Sequence, residues 1–251
     1  MTAHSRDRFA EVVRAGEVDV ALACLLIGCE VEPDLDIGAS LTVLDSLAES
    51  ARPLLGRGPS EALRVALGEQ AGFHGSAADY EDVRSSLLHE VLRRGRGLPI
   101  LLSVVWCEVA ARLDVPAGYL AVPGHVLVDL AAGGVVNPFA GGPVVQAPRE
   151  PVLDPISLLA RVLTNIRALT ARQERSLETN RTRLWATELS LLLPRYPVEL
   201  RRERGELLVR LGDHLGGATE LQDYADLVEP VDPPEAEAAR RRARLARSRL
   251  N

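Results

Sequence analysis

The chain has 251 residues, of which 47% are hydrophobic and 25% charged, with a formal net charge of −6. This is a globular composition, long enough to bury one large or two moderate cores. The negative balance argues against nucleic acid as the main partner, because such binding depends on neutralising phosphates. All 29 basic residues are arginine, so Schiff-base chemistry, a lysine general base and a phosphate-loop lysine are excluded.

The start, Met1 to Arg8, lacks the apolar core of a signal peptide. The uncharged run from Val115 to Val128 carries two prolines and two glycines and is far short of a membrane span. A cytoplasmic protein with no membrane partner is expected. From Asp7 to Leu55, apolar residues such as Phe9, Val12, Val13, Leu22, Leu25, Leu41 and Leu44 recur at three and four residues, the period of amphipathic helices, with breaks at Pro33 and Pro53. A Gly-rich stretch, Leu55 to Ser60, closes this layer, and a further helix is expected from Glu61 to Ala71.

Residues 72–96 open irregularly and pass into a helix with Leu87, Leu88, Val91 and Leu92 on one face. The next helix, Pro99 to Leu113, starts with proline where the missing N–H is harmless and should be almost wholly buried. After Pro116 the pattern changes to strands: Gly118 to Val122, Gly124 to Leu130, a turn at Ala131–Gly134, and Val135 to Asn137. Helical periodicity resumes at Pro155. Leu207, Leu208, Leu211 and Leu215 make one stripe, and Ala218, Leu221, Ala225 and Val228 another, a pair loosely like a tetratricopeptide unit that any helical hairpin would also give. The arginine-dense segment Arg240–Arg249 follows an acidic stretch, Glu229–Glu237, and reads as a solvated helix face or a docking patch.

Cys24, Cys29 and Cys107 sit in apolar, helix-like surroundings and read as reduced core residues. His74, His89 and His214 stand alone, no Cys/His/Asp/Glu cluster has metal-ligand spacing, and neither a cofactor nor a metal is expected. Glu90, Arg93 and Arg94 read as surface pairs or cleft lining, and Trp106 and Trp185 as core anchors.

Taken in order, many segments resemble a bacterial family labelled the sigma-invasion-regulator B N-terminal (SirB) type. They are Arg8-Phe9-Ala10, Leu25-Leu26-Ile27 leading to Glu32-Pro33-Asp34-Leu35, Gly72-Phe73-His74-Gly75 with Asp79-Tyr80, Ser86-Leu87-Leu88 and Gly97-Leu98-Pro99. Further on come Pro123-Gly124-His125, Asn137-Pro138-Phe139 with Gly141-Gly142, Ala160 to Asn165, and Arg202-Glu203-Arg204-Gly205. The resemblance implies a mostly helical α+β protein. It would comprise a transglutaminase-like domain over 1–150 (a helical layer over 1–71, a core helix and small antiparallel sheet over 72–150) and a tetratricopeptide-like helical region over 151–251.

Transglutaminase-like enzymes carry Gly-X-Cys at the start of the buried central helix; here the corresponding tripeptide is Gly97-Leu98-Pro99. The chain also has Asn137 where the family shows Asp before Pro-Phe, and Gly75-Ser76 and Ser85-Ser86 where it shows Gly-Asn and Asn-Ser. Thiolate chemistry needs sulfur at a helix N-terminus with a histidine in reach. Pro99 offers none, and Cys107 lies eight residues on, about 12 Å along a helix. Ser103, one turn beyond Pro99, reads as a hydroxyl bonded to the Pro99 carbonyl, or as a nucleophile served by His125 and oriented by Asn137.

The leading expectation is therefore a non-catalytic transglutaminase-like module with a protein or peptide partner. The alternatives are a hydrolase or amide transferase using Cys107 or Ser103 with His125 and Asn137, and a structural scaffold in a larger assembly or biosynthetic pathway.

Overall fold

The structure, a computed structural model, describes residues 3–147, 152–174 and 176–250. The chain divides into two compact units, Met1–Val162 and Leu163–Asn251. The boundary expected between residues 150 and 151 lies outside the described residues.

The first unit begins with α1 (Ala3–Val12), α2 (Val20–Gly28) and α3 (Ile37–Ala51). Aspartates open two of them: Asp19 accepts from the Leu22 amide at the start of α2, and Asp36 from the Ala39 amide at the start of α3. After a 3-10 turn comes α4 (Pro59–Leu63), which continues as π-helix over Arg64–Gln70 where a longer α-helix was expected. Gly68 sits in this π segment against the Gly141 carbonyl, which an added Cβ would approach to 2.0 Å. The wider turn and the missing side chain let the two backbones meet. Two 3-10 turns, Ala77–Glu81 and Val83–Ser86, lead to α5 (Leu88–Arg94), which ends on Gly95 at φ +65°.

Next comes α6 (Pro99–Arg112), and Gly97 to Cys107 form eleven consecutive buried residues. A helix apolar on every side must be surrounded. Here α2, α3, α4 and α5 pack on it together with two strands of the sheet.

The sheet has five antiparallel strands: β1 (Gly118–Val122), β2 (His125–Asp129), β3 (Val135–Val136), β4 (Val144–Val145) and β5 (Val152–Leu153), in the order β4-β3-β2-β1-β5. The Pro123-Gly124 turn pairs Val122 with His125, and the ladder then sets Leu120 opposite Leu127 and Tyr119 opposite Val128. Strand alternation gives the two faces different work. Leu120, Leu127 and Val135 cluster with Val122 and Val145, while Tyr119 on the other face hydrogen-bonds Cys107 of α6.

Helix α7 (Pro155–Arg172) runs across the Val162/Leu163 boundary, followed in the second unit by α8 (Leu177–Leu192), α9 (Glu199–Arg210), α10 (His214–Val228) and α11 (Pro233–Arg247). The first expected leucine stripe does not run to Leu215: the helix breaks after Arg210, Asp213 caps α10 at the Gly216 amide, and Leu215 is 61% exposed.

Contact between α9 and α10 is closest at Gly205 and Gly217. A Cβ on Gly205 would lie 2.8 Å from Leu221 Cγ, and one on Gly217 2.7 Å from the Gly205 carbonyl. Packing of α11 on α10 uses Ala236, Ala239, Ala243 and Ala246, all buried at helical spacing. Charge holds the other faces. Glu203 accepts from Arg167 and Arg183, the buried Glu220 is bridged by Arg201 and Arg204, and Arg202 pairs with Glu235 while its guanidinium lies 5.9 Å above the Tyr224 ring.

Gly205→Ala should destabilise the protein by about 1–3 kcal/mol in chemical denaturation, because the methyl overpacks a helix crossing. Gly16→Ala, whose new methyl meets nothing within 4 Å, should stay within about 0.5 kcal/mol of the parent. Equal stability of the two variants would refute the close crossing.

Candidate functional site

The N-terminus of α6 is built by glycine and proline. Gly95 turns the chain out of α5, and Gly97 then passes so close to α5 that a Cβ would sit 2.4 Å from Val91 Cγ2 and 3.1 Å from the Ser85 carbonyl. The Leu98 amide donates to the Ser85 carbonyl at 2.9 Å, and Pro99 has no N–H to satisfy. The helix therefore starts without a side-chain cap, and its first position is a buried ring with no nucleophilic atom.

Beside it lies an aromatic wall. Gly75 donates its amide to the Phe139 carbonyl at 2.9 Å, and a Cβ at Gly75 would fall within 2.0 Å of the Phe139 ring and 2.8 Å of the Gly97 carbonyl. Phe139 also meets two rings in T-shaped arrangements: His125 at 5.2 Å between centroids and Tyr80 at 5.9 Å. Tyr80 is 38% exposed, so the wall opens to solvent at that end.

The hairpin register brings His125 and Asn137 together, with His125 Nε2 3.2 Å from Asn137 Oδ1. The chemistry of the turn fixes which atoms face each other. Asn137 opens the Pro138–Ala140 turn and its Oδ1 accepts from the Phe139 amide at 3.1 Å, so that atom must be oxygen. His125 must then donate through Nε2–H, which leaves Nδ1 as the acceptor. Nδ1 has no hydrogen-bond partner among the described residues. The pair thus leaves Nδ1 as the acceptor, the arrangement of a Cys-His-Asn site and the reverse of the serine triad, in which Nε2 faces the nucleophile.

The other candidates do not complete a triad. Ser103 is fully buried and its Oγ donates to the Val126 carbonyl at 3.1 Å, which corrects the expected bond to Pro99. The carbonyl of the adjoining strand outcompetes the helix's own. Cys107 hydrogen-bonds Tyr119, and burial pushes both groups' pKa values up. Tyr119 shares its face with Val128, whereas His125 alternates onto the face of Leu127, so strand geometry keeps Cys107 and His125 apart. Cys24 and Cys29 are also buried and free, each with its thiol pKa raised chiefly by burial.

Two clusters escaped the sequence reading. Asp79 is 1% exposed and accepts from the Ser76 amide and hydroxyl, the Ser85 hydroxyl, and Arg96 Nε and Nη2 at 2.8–3.2 Å. Burial alone would raise its pKa, but the bonds from Arg96, Ser85 and Ser76 outweigh that and hold it at about 2. This node ties the loop carrying Gly75 to the approach of α6. Its sequence signal was the Ser76-x-x-Asp79 spacing of a capping box.

The second cluster is Glu32, His89 and Glu90, whose ligand-type atoms lie within 4.8 Å of one another, although His89 had read as solitary. Both Glu32 oxygens already accept from Arg93 at 2.7 Å, and Arg93 also reaches Glu90 at 3.2 Å. His89 Nδ1 is buried without a partner where a Cβ on Gly28 would lie 2.3 Å from it, and burial lowers the His89 pKa. The arginine supplies the positive charge a cation would bring.

A family model described as the transglutaminase-like superfamily matches residues 39–153, which hold α3 to β5 and the His125–Asn137 pair. A UPF0162 protein of Xylella fastidiosa strain Temecula1 is 30% identical over 233 residues, covering 81% of this chain and 82% of that protein. The chain belongs to the UPF0162 family. A UPF0162 protein of Vibrio cholerae is 25% identical over 66% of this chain and 67% of its own length. F-box only protein 21 of Mus musculus is 33% identical over 73 residues, 29% of this chain and 12% of that protein. No solved structure matches. No helix among the described residues is long and apolar enough to cross a membrane.

Two outcomes test the geometry. If Gly75 and Phe139 form one contact, Gly75→Ala and Phe139→Ala should each destabilise, and the double variant should cost less than their sum by about 1 kcal/mol or more in a denaturation cycle. Simple additivity would argue against the wedge. Because the Asp79 pKa is depressed on folding, its contribution is present above the ordinary carboxylate range and fades as pH falls towards 2. Asp79→Asn should therefore cost about 2 kcal/mol at neutral pH and flatten the acid limb of the stability profile below about pH 4.

Proposed function

We propose that this protein is a SirB-type, non-catalytic member of the transglutaminase-like proteins that works by binding another polypeptide. Two features carry the reading: His125 and Asn137 lie 3.2 Å apart in the orientation of a dyad, and the family resemblance puts Pro99 at the position of the superfamily enzymes' cysteine. His125 Nδ1 has no hydroxyl or thiol partner among the described residues. A proton acceptor without a nucleophile performs no acyl transfer. The same pair, flanked by Phe139 and the exposed Tyr80, offers a hydrogen-bond acceptor and an apolar wall to a ligand. The hairpins of the second unit support the reading of a tetratricopeptide-like, polypeptide-binding region.

The competing reading is a hydrolase or amide transferase using Cys107 or Ser103, and thiol chemistry separates the two. In the folded protein at neutral pH, Cys24, Cys29 and Cys107 should resist iodoacetamide, as burial and raised pKa values dictate, and should react on unfolding. Fast modification of Cys107 in the unaltered chain, lost in His125→Ala, would overturn the proposal. So would failure of the full-length protein to retain any stable polypeptide from its native host.

A further inference from the structure

The groove between α9 and α11, floored by α10, carries more arginine than carboxylate. Val209, Leu221 and Leu245 line it, with Arg210, Arg242 and Arg249 at its rim. Several other guanidinium groups in this unit are matched closely by carboxylates. Arg167 and Arg183 hold Glu203, Arg201 and Arg204 hold Glu220, Arg240 holds Asp226 and Glu229, and Arg244 holds Glu237.

At the groove the one acid is Glu206, and its approaches are long, 3.5 Å to Arg210 and 3.7 Å to Arg242. Arg242 also lies 3.5 Å from Glu235, an oxygen that Arg202 already occupies at 2.7 Å. Arg249 has no ion pair among the described residues. Three cations against one loosely engaged anion leave a local surplus of positive charge on a chain whose formal charge is −6. Leu245 stands beside them 66% exposed.

We propose that this groove binds an acidic amphipathic helix of a partner protein, its carboxylates meeting Arg210, Arg242 and Arg249 and its apolar face lying on Leu245, Val209 and Leu221. A groove between two helices fits a helix, and bidentate arginine pairing supplies register. An anionic membrane is disfavoured because the apolar stripe of α11, Ala236 to Ala246, is already buried, which leaves Leu245 alone to insert. This assignment rests on the polypeptide-binding reading above and names the partner's chemistry.

The test uses the full chain and a fluorescent helical peptide with leucines on one face and glutamates on the other, followed by anisotropy. Saturable binding is expected, weakened about tenfold or more by Arg242→Glu combined with Arg249→Glu, by Leu245→Asp, or by glutamine in place of glutamate in the peptide. All three altered residues are exposed, so thermal melts should match the parent. No binding, or binding indifferent to these changes, overturns the assignment, as does a preference of the parent for phosphatidylserine vesicles over the peptide. If the peptide fails but a host polypeptide is retained equally by parent and variants, the groove is wrong and the broader reading stands. If nothing is retained by either, both fall.

Discussion

The burial of α6 is the constraint on which the first unit depends. Eleven residues from Gly97 to Cys107 have no solvent side, so helices must cover one flank and the sheet the other. The helix also has to begin inside the protein, where an unpaired amide is costly. The chain meets this with a residue that lacks an amide, Pro99, and with the Leu98 amide bound to the Ser85 carbonyl. The stability of the start and the absence of a nucleophilic atom at this position are then one choice. Proline suits a first helical position for the same reason that it performs no chemistry there.

Around this start, backbone contacts hold what side chains cannot. Gly75, Gly97 and Gly68 are places where another part of the chain passes too near for a methyl group. The Gly75–Phe139 wedge and the Asp79 node fix the same loop from two directions, one apolar and one ionic. His125 and Asn137 are kept in register by a two-residue hairpin and a side-chain-capped turn. None of these supports requires that a reaction take place, and they preserve a shape equally useful for recognition.

Much of this was legible in the sequence because local rules and tertiary demands agreed. The bounds of β1 were readable to the residue from alternation after Pro116, and the buried helix from an apolar run opened by proline. Hairpin order left open whether His125 would meet Asn137, and the register brings them to 3.2 Å. What was not legible depended on distant partners. Strands β4 and β5 are two residues each, too short for any period to register, and the π-helical Arg64–Gln70 is shaped by contact with Gly141. Ser103 bonds across to Val126 because a strand lies there, and His89 gains Glu32 only when α2 and α5 pack. The Leu215 stripe failed because an aspartate N-cap at Asp213 restarts the helix and rotates its face.

The alanine seam between α10 and α11 has a consequence for the end of the chain. A buried methyl contributes little transfer free energy, so four alanines bring the helices close without anchoring them strongly. Tyr224, Val228 and Leu221 of α10 add apolar contact, and beside them stands a set of partly exposed ion pairs, Arg202 with Glu235 and Arg240 with Asp226 and Glu229. Such pairs are screened by electrolyte while apolar burial is not. The terminal helix is thereby the element whose attachment answers to ionic strength, and fraying should begin there while the leucine-rich interior stays closed.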